Sequence, residues 1–163
     1  MIKTKSSTAI VFVLTVSILL MTTCNTKPDL KNEERLIREL WDNASKYVCT
    51  GDWENYSRCW DHSSKIQIIH ADQGEWLTGW EKIRVKYETL LGSGMKCDFP
   101  KNDLILNLSN SGDMAWGTAD IILQFNDSTK TQIHMWETCV FEKIQGQWRM
   151  VMGMASIPKL NKD

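Results

Sequence analysis

The sequence predicts an α+β domain in which helices pack on one face of a curved antiparallel sheet. Helical periodicity dominates the first half of the chain, and extended segments joined by short turns dominate the second half, an order that is typical of this class. The last two predicted strands carry large apolar side chains on both faces. Because a strand with one solvated face alternates apolar and polar residues, we expect this sheet to be covered on both sides.

The composition indicates one domain with a substantial core. The chain has 163 residues, which is enough to bury such a core. Its formal net charge is −1 and it has no basic run, so we expect no nucleic-acid partner. Eight Trp and eight Met residues indicate either a densely packed interior or a lined cavity.

The N-terminal segment, residues 1–23, resembles a bacterial lipoprotein signal peptide. Two lysines precede an uncharged, mostly apolar run that is too short for a comfortable transmembrane helix and ends at Cys24. We expect Cys24 to carry a lipid that anchors the protein in the cell envelope, with residues 24–32 as a polar tether. Asn25 is not the Asp that favours inner-membrane retention in some bacteria, so the outer membrane is the expected location. The alternative is an ordinary secretory signal and a secreted or periplasmic protein.

Four cysteines remain after the predicted lipidation site: Cys49, Cys59, Cys97 and Cys139. An oxidising compartment would permit disulfides among them. Because their positions fit apolar helix and strand sites, we expect most of them to be buried free thiols. No spacing of Cys and His predicts a metal site, and no motif predicts a cofactor.

Three helices are predicted from apolar periodicity. Residues 33–50 form the first, with Asn32 as its N-cap and Gly51 as its C-terminal stop. Asp52 begins a short second helix, whose aromatic residues share one face. The third helix covers residues 80–91 and ends at a Gly-Ser-Gly turn.

The remaining segments are predicted strands. The strand that ends in Cys139 and Phe141 presents Trp136 and Val140 on its opposite face. On the last strand, strict alternation predicts that the three methionines of the Met-x-Met-x-Met run share one face. The predicted strands cover residues 65–71, 75–77, 95–99, 103–109, 114–125 and two long runs within 131–157, which a turn at Gly146 joins.

Three short segments carry a family resemblance. Gly79-Trp80-Glu81-Lys82-Ile83 forms a Gly-x-x-x-Ile opening of the third helix. Glu137-Thr138-Cys139-Val140-Phe141-Glu142-Lys143, followed by Gly146-Gln147-Trp148-Arg149, forms a strand, a turn and a Trp. The last strand closes on Ser156, two residues after Met154. The pattern resembles the nuclear transport factor 2-like (NTF2-like) superfamily, and within it the SnoaL-like and related bacterial domains. That family often has a His-x-Ser at the end of the last strand, so Met154 occupies the position of its His.

The resemblance covers residues 33–157 and leaves residues 158–163 as a C-terminal tail. It implies a cone, in which the curved sheet wraps around the N-terminal helices and a pocket opens at the wide end. It also implies a homodimer formed through the outer face of the sheet, which would account for the second apolar face. The activities of relatives include isomerases, cyclases, dehydratases and hydrolases, so the resemblance does not single out one reaction.

Candidate ligand-binding residues are aromatic side chains, most of them with one polar tip. Such residues suit the wide end of a cone because they pack an apolar body and still offer a donor. An apolar pocket with few polar groups is typical of small-molecule sites, although core packing would explain the same residues. The candidates are Tyr47, Tyr56, Trp60, Trp116 and Trp136.

His134 and Asp120 are the candidate catalytic residues. His134 would act as a base and Asp120 as a buried acid with a raised pKa, and the alternatives are a solvated His134 and an outward-facing Asp120. His70 with Asp72 is either an acid/base pair at the pocket mouth or a turn carboxylate beside an exposed histidine. Glu137 is predicted to form a structural ion pair with the arginine of the Gln-Trp-Arg segment.

Three functions remain open. The first is a lipid-anchored module that binds a small apolar or amphipathic molecule. The second is an isomerase, dehydratase or hydrolase that uses an acid/base residue in the same pocket. The third is a non-catalytic assembly domain, in which the cone would be filled. Because the sequence contains no motif for a nucleophile or a fixed acid/base pair, binding is the preferred function.

Overall fold

The structure, a computed structural model, describes residues 27–94, 96–126, 128 and 130–158, so the predicted signal peptide and Cys24 lie outside the described residues. The α+β class is confirmed. None of the described helices is long and apolar enough to cross a membrane. The helices are α1 (Leu30–Thr50), α2 (Trp53–Arg58) and α3 (Trp80–Gly92). The strands are β1 (Gln67–His70), β2 (Glu75–Thr78), β3 (Cys97–Asp98), β4 (Lys101–Leu108), β5 (Met114–Phe125), β6 (Gln132–Ile144) and β7 (Gln147–Ser156).

The strands form one sheet in the order β2-β1-β7-β6-β5-β3, with β4 also paired to β5. The long strands β5, β6 and β7 pair antiparallel, as the sequence predicts. β1 pairs parallel with β7, which departs from a purely antiparallel sheet. A hairpin forces neighbouring strands to run antiparallel, but β1 and β7 are joined through most of the domain and are free of that constraint.

The helix ends follow the chemistry of their caps. The side chain of Asp29 accepts a hydrogen bond from the Asn32 amide at 3.2 Å, so α1 begins earlier than the predicted Asn32 cap. Gly51 ends α1 with a φ of 71°, a left-handed conformation that glycine adopts without strain. Asp52 caps α2 by accepting from the amide of Asn55, as predicted.

A buried carboxylate fixes α1 to the sheet. Glu33 accepts a hydrogen bond from Lys143 Nζ at 2.6 Å and from Trp148 Nε1 at 2.7 Å, so one side chain joins α1 to both β6 and β7. The Lys143 hydrogen bond is the largest cause of a lowered pKa at Glu33. The ionised carboxylate is therefore the form that the fold stabilises.

The first half of the inner face of β5 carries small residues, because the ring of Trp41 in α1 rests against it. Ala115, Gly117 and Ala119 are buried there. A Cβ atom on Gly117 would lie 2.7 Å from the ring of Trp41, so the indole rests on bare backbone. The larger side chains of this part of β5, including Trp116, consequently face outward.

A β-bulge changes which methionines share a face. The pairing of β6 with β7 shifts between Val140 and Phe141, which are opposite Met152 and Met150 respectively. Met150 is buried against the helices, whereas Met152 and Met154 are half-buried. The predicted common face for the three methionines is wrong, because the bulge reverses the alternation within β7.

A disulfide joins Cys49 at the end of α1 to Cys97 in β3, with Cα atoms 4.6 Å apart. Cys59 and Cys139 are buried free thiols, so the expectation of free thiols holds for only two of the four cysteines. Their spacing in the sequence did not reveal that the short strand β3 lies beside the end of α1. A structural disulfide is typical of an oxidising compartment.

Candidate functional site

The helices and the inner face of the sheet enclose a cavity of about 290 Å³. Its wall is mostly apolar, and its mouth includes the exposed residues Asp72, Gln73 and Leu90. A mostly apolar cavity with a few convergent polar groups has the character of a small-molecule site. Its aromatic wall consists of Trp41, Tyr56, Trp60, Tyr87, Phe99 and Phe125.

Glu137 is the acidic side chain of the interior of this wall, whereas Asp72 is exposed at the mouth. It lies on the inner face of β6 and accepts a hydrogen bond from Trp41 Nε1 at 2.7 Å. As a whole residue it is half-buried, but protein surrounds its carboxyl, and this desolvation raises its pKa. The Trp41 hydrogen bond and the charge of Lys101 oppose the rise without cancelling it. A carboxyl in this setting is suited to hold or accept a proton.

Two stacked tyrosines lie in the same wall. The rings of Tyr56 and Tyr87 have their centroids 5.3 Å apart. Burial is the largest cause of a raised pKa at both phenols, and the charge of Glu137 raises both further. Both hydroxyls therefore remain protonated and available as donors at neutral pH.

His70 connects the tyrosines to the mouth of the cavity. Its Nε2 atom lies 3.2 Å from the Tyr87 hydroxyl. Burial, reinforced by the charge of Lys86, lowers its pKa, although Glu75 Oε2 lies 4.0 Å away. His70 is consequently neutral near pH 7.

The structure places two of the five predicted aromatic residues in the cavity wall, namely Tyr56 and Trp60. Tyr47 packs against the core but does not line the cavity. Trp116 and Trp136 lie on the outer face of the sheet, where they are 45% and 54% exposed. The prediction that these three residues line the pocket is wrong, and for the two tryptophans the reason is that α1 selects the small-residue face of β5 as the inner one.

The predicted catalytic pair also lies on the outer face. His134 Nε2 and Asp120 Oδ1 are 2.6 Å apart, but His134 is exposed and neither residue lines the cavity within the helices. Residues of β6 alternate, so the inner side chain in this region is Glu137. The predicted ion pair between Glu137 and Arg149 is wrong: Arg149 lies opposite Glu142 and binds the side chain of Gln147 instead.

Part of the site was visible in the sequence. Glu137 has the same parity as Cys139 and Phe141, which are both fully buried. The small residues Ala115, Gly117 and Ala119 mark the face of β5 that a helix can approach. These two signals together would have assigned Glu137 to the inner face. The pairing of Tyr87 with His70 joins α3 to β1, and no spacing in the sequence shows it.

The outer face of the sheet presents several exposed apolar side chains in the single chain. We call this set the outer-face patch. It surrounds the His134–Asp120 pair and continues into half-buried Val140, Met152 and Met154. The exposed members of the patch are Ile105, Trp116, Ile122 and Trp136.

Comparison with known proteins identifies the family. A sequence profile of the SnoaL-like domain matches residues 37–159. No curated protein is significantly similar in sequence.

Several solved structures share the fold. An NTF2-like protein from Streptomyces avermitilis is 15% identical with a TM-score of 0.69, over 80% of this chain and 99% of that one. A protein of unknown function from Mycobacterium tuberculosis is 17% identical with a TM-score of 0.68, over 80% and 79%. The association domain of CaMKII from C. elegans is 19% identical with a TM-score of 0.66, over 77% and 96%.

The raised pKa of Glu137 predicts a specific pH dependence of stability. Because the folded state holds this proton to higher pH, its stabilising effect is complete below the ordinary value of 4.5 and is lost as the pH rises through the folded pKa. Glu137→Gln keeps an oxygen acceptor for Trp41 but does not titrate. In urea unfolding, the free energy of unfolding of wild type relative to Glu137→Gln should therefore fall as the pH rises above 4.5.

Glu33→Gln is the matched control with the opposite sign. The pKa of Glu33 is lowered, chiefly by its hydrogen bond with Lys143, so its stabilisation is present above 4.5 and is lost at lower pH. A stability difference between wild type and Glu137→Gln that is independent of pH would contradict the assignment of a desolvated carboxyl.

Proposed function

The chain belongs to the SnoaL-like family, and from that premise we propose that it is a lipid-anchored domain of the cell envelope that binds a small apolar or amphipathic molecule inside its cone. The observation that carries this proposal is the cavity of about 290 Å³ between the helices and the sheet. A non-catalytic assembly domain would have a filled cone. Apolar side chains dominate the wall, and a few polar groups converge at Glu137, as in many small-molecule sites.

A neutral fluorescent probe tests binding in the cavity. We expect N-phenyl-1-naphthylamine to bind wild type with increased fluorescence. Ala155→Phe should abolish this increase, because Ala155 lines the cavity opposite Glu137 and a phenyl ring there would fill it. Thr138→Phe is the matched control, since it adds the same ring on the neighbouring outer-face position of β6.

The same assay separates the cavity from the outer face. His134→Ala and Trp136→Ala should bind the probe as wild type does, because both residues lie outside the cavity. Circular dichroism confirms that each variant is folded. Loss of binding in these two variants, with binding retained in Ala155→Phe, would place the site on the outer face and contradict the proposal.

An enzyme is the second candidate, and the raised pKa of Glu137 favours it. A desolvated carboxyl with a raised pKa holds its proton to higher pH than an exposed one and is suited to general acid/base catalysis in an isomerase, dehydratase or hydrolase. The two candidates differ in one variant. Glu137→Gln would retain ligand binding in both cases, and only an enzyme would lose turnover of a bound substrate.

The proposed anchor rests on the signal-like N-terminus and agrees with the disulfide between Cys49 and Cys97. Cells that express the protein should incorporate radiolabelled fatty acid into wild type and retain it in the outer-membrane fraction. Cys24→Ser should lose both the label and the membrane association. Cys59→Ser, which removes a buried free thiol, is the control that should keep both. Full labelling of Cys24→Ser would contradict lipidation at this residue.

We also propose that the protein forms a homodimer through the outer-face patch. An exposed patch with this many large apolar side chains is unusual for a soluble monomer. The association domain of CaMKII shares this fold, and its name agrees with assembly as a use of the fold.

Light scattering tests the dimer. Wild type should have twice the mass of one chain at micromolar concentrations, and Trp136→Glu should be monomeric because a carboxylate would be buried in the interface. Val85→Glu is the control, since Val85 is an exposed apolar residue of α3, away from the sheet. A monomeric wild type would show that the patch does not support association between copies.

A further inference from the structure

The chain enters the domain at one end of the cone. Pro28 packs against the turn between β4 and β5, where a Cβ atom on Gly112 would lie 2.7 Å from the Pro28 side chain. Asp29 caps α1, and Glu33 in its first turn binds Lys143 near the end of β6. These contacts fix the point at which the N-terminal segment leaves the domain.

The cavity opens at the other end of α1. This helix has 21 residues and rises by about 1.5 Å per residue, so it extends about 30 Å. Gly51 ends the helix beside α3, where a Cβ atom would lie 3.0 Å from the carbonyl oxygen of Leu91. The neighbouring Leu90 lies at the mouth of the cavity together with Asp72 and Gln73. The mouth and the entry point of the chain therefore lie at opposite ends of the helix.

The last strand has the same direction. Trp148 near the start of β7 donates a hydrogen bond to Glu33, whereas Ala155 near its end pairs with His70 and lines the cavity. A strand advances by about 3.3 Å per residue, so Trp148 and Ala155 are about 23 Å apart along β7. Both the helix and the strand lead from the entry point to the mouth.

The reach of the proposed anchor limits how the domain can be oriented. Cys24 and Pro28 are four residues apart, a distance that a fully extended chain covers with at most about 14 Å. An inverted domain, with its mouth against the bilayer, would hold Pro28 about 30 Å above the lipid, since that is the length of α1. The chain is too short for this orientation, and a domain on its side would open parallel to the bilayer.

The chemistry and size of the opening agree with this geometry. Asp72 and Gln73 are exposed at the mouth, and such groups lose hydration in contact with acyl chains. The cavity of about 290 Å³ has the volume of roughly ten water molecules at about 30 Å³ each. It therefore suits a compact molecule rather than a lipid with two acyl chains.

On the premise of the proposed function, a lipid-anchored domain that binds a small molecule, we infer that the mouth of the cavity faces away from the membrane and that the ligand is taken from the aqueous phase of the envelope. The ligand class is then a compact amphipathic solute, and lipids of the surrounding bilayer are excluded. The anchor serves to hold a solute-binding site near the membrane.

Fluorescence quenching by lipid headgroups measures which end of the domain faces the bilayer. The lipidated protein is placed in vesicles of phosphatidylethanolamine and phosphatidylglycerol that contain spin-labelled headgroups. A fluorophore is attached through Asn110→Cys in the turn before β5 or through Gln73→Cys at the mouth. Both positions are exposed, whereas Cys59 and Cys139 are buried. The label at position 110 should lose most of its fluorescence, and the label at position 73 should keep nearly all of it.

A lengthened chain provides the matched control. An insertion of roughly 30 Gly and Ser residues after Thr26 has a root-mean-square span of about 30 Å, which allows the domain to invert. The label at position 73 should then be partly quenched, which shows that it responds when the bilayer is within reach. Strong quenching of this label with the natural chain length would overturn the inferred orientation.

Calorimetry with 2-naphthol tests the source of the ligand on the same vesicles. Added to the water phase, it should bind the natural and the lengthened protein with equal affinity. Ala155→Phe, whose cavity is filled, corrects for partition of the compound into the bilayer. Binding to the lengthened protein alone would show that the natural chain holds the mouth against the lipid, and would overturn the inference. Binding to neither protein would instead refute the proposed binding function, and failure of the protein to remain on the vesicles would refute the proposed anchor.

Discussion

The close contact between Trp41 and Gly117 determines the architecture on which the site depends. The indole of Trp41 rests on backbone that carries no side chain, so α1 lies near the sheet and only small residues fit on the adjacent face of β5. The same indole uses its N–H to bind the carboxyl of Glu137. One tryptophan therefore sets the distance between helix and sheet, selects the inner face and positions the acidic group of the cavity.

Burial acts in the same way on four ionisable groups of the cavity wall. Burial raises the pKa of Glu137 and of the two tyrosines, and it lowers the pKa of His70. Each shift favours the neutral form because a charged group loses hydration inside the protein. Such an interior is suited to an uncharged ligand. The carboxyl of Glu137 is the group that would support catalysis if a substrate were bound.

The two faces of the sheet have different chemistry because side chains alternate along β6 and a bulge reverses the alternation within β7. On β6, Glu137 faces the helices while His134 and Trp136 face outward. On β7, the bulge opposite Val140 and Phe141 places Gly153 on the inner face, where the ring of Trp60 contacts its backbone. Without this shift, a larger side chain would meet that ring.

Local signals predicted the fold, whereas the site depends on contacts between distant segments. Gly51, Asp52 and Gly79 mark helix boundaries through backbone conformation and capping, which neighbouring residues determine, so the elements were predicted well. The inner face of β6 depends on which side α1 approaches. Because the inner face of β6 was predicted the wrong way round, His134 and Asp120 were predicted as the ionisable groups of the pocket and Glu137 was not.

The spacing of residues in the sequence could not predict the disulfide or the contact between Tyr87 and His70 for the same reason. The disulfide of Cys97 requires β3 to lie beside the end of α1, and the contact of Tyr87 with His70 requires α3 to lie over β1. Both follow from tertiary packing, which no local pattern contains.

Nuclear magnetic resonance of the ¹⁵N-labelled indole groups tests most directly whether the cone, rather than the outer face of the sheet, is the binding site. Each tryptophan contributes one Nε1–H signal, and single Trp→Phe variants assign the signals of Trp60, Trp116 and Trp136. On addition of N-phenyl-1-naphthylamine, the Trp60 signal should shift because Trp60 lines the cavity, while those of Trp116 and Trp136 stay in place. Movement of the two outer-face signals with an unchanged Trp60 signal would contradict the account.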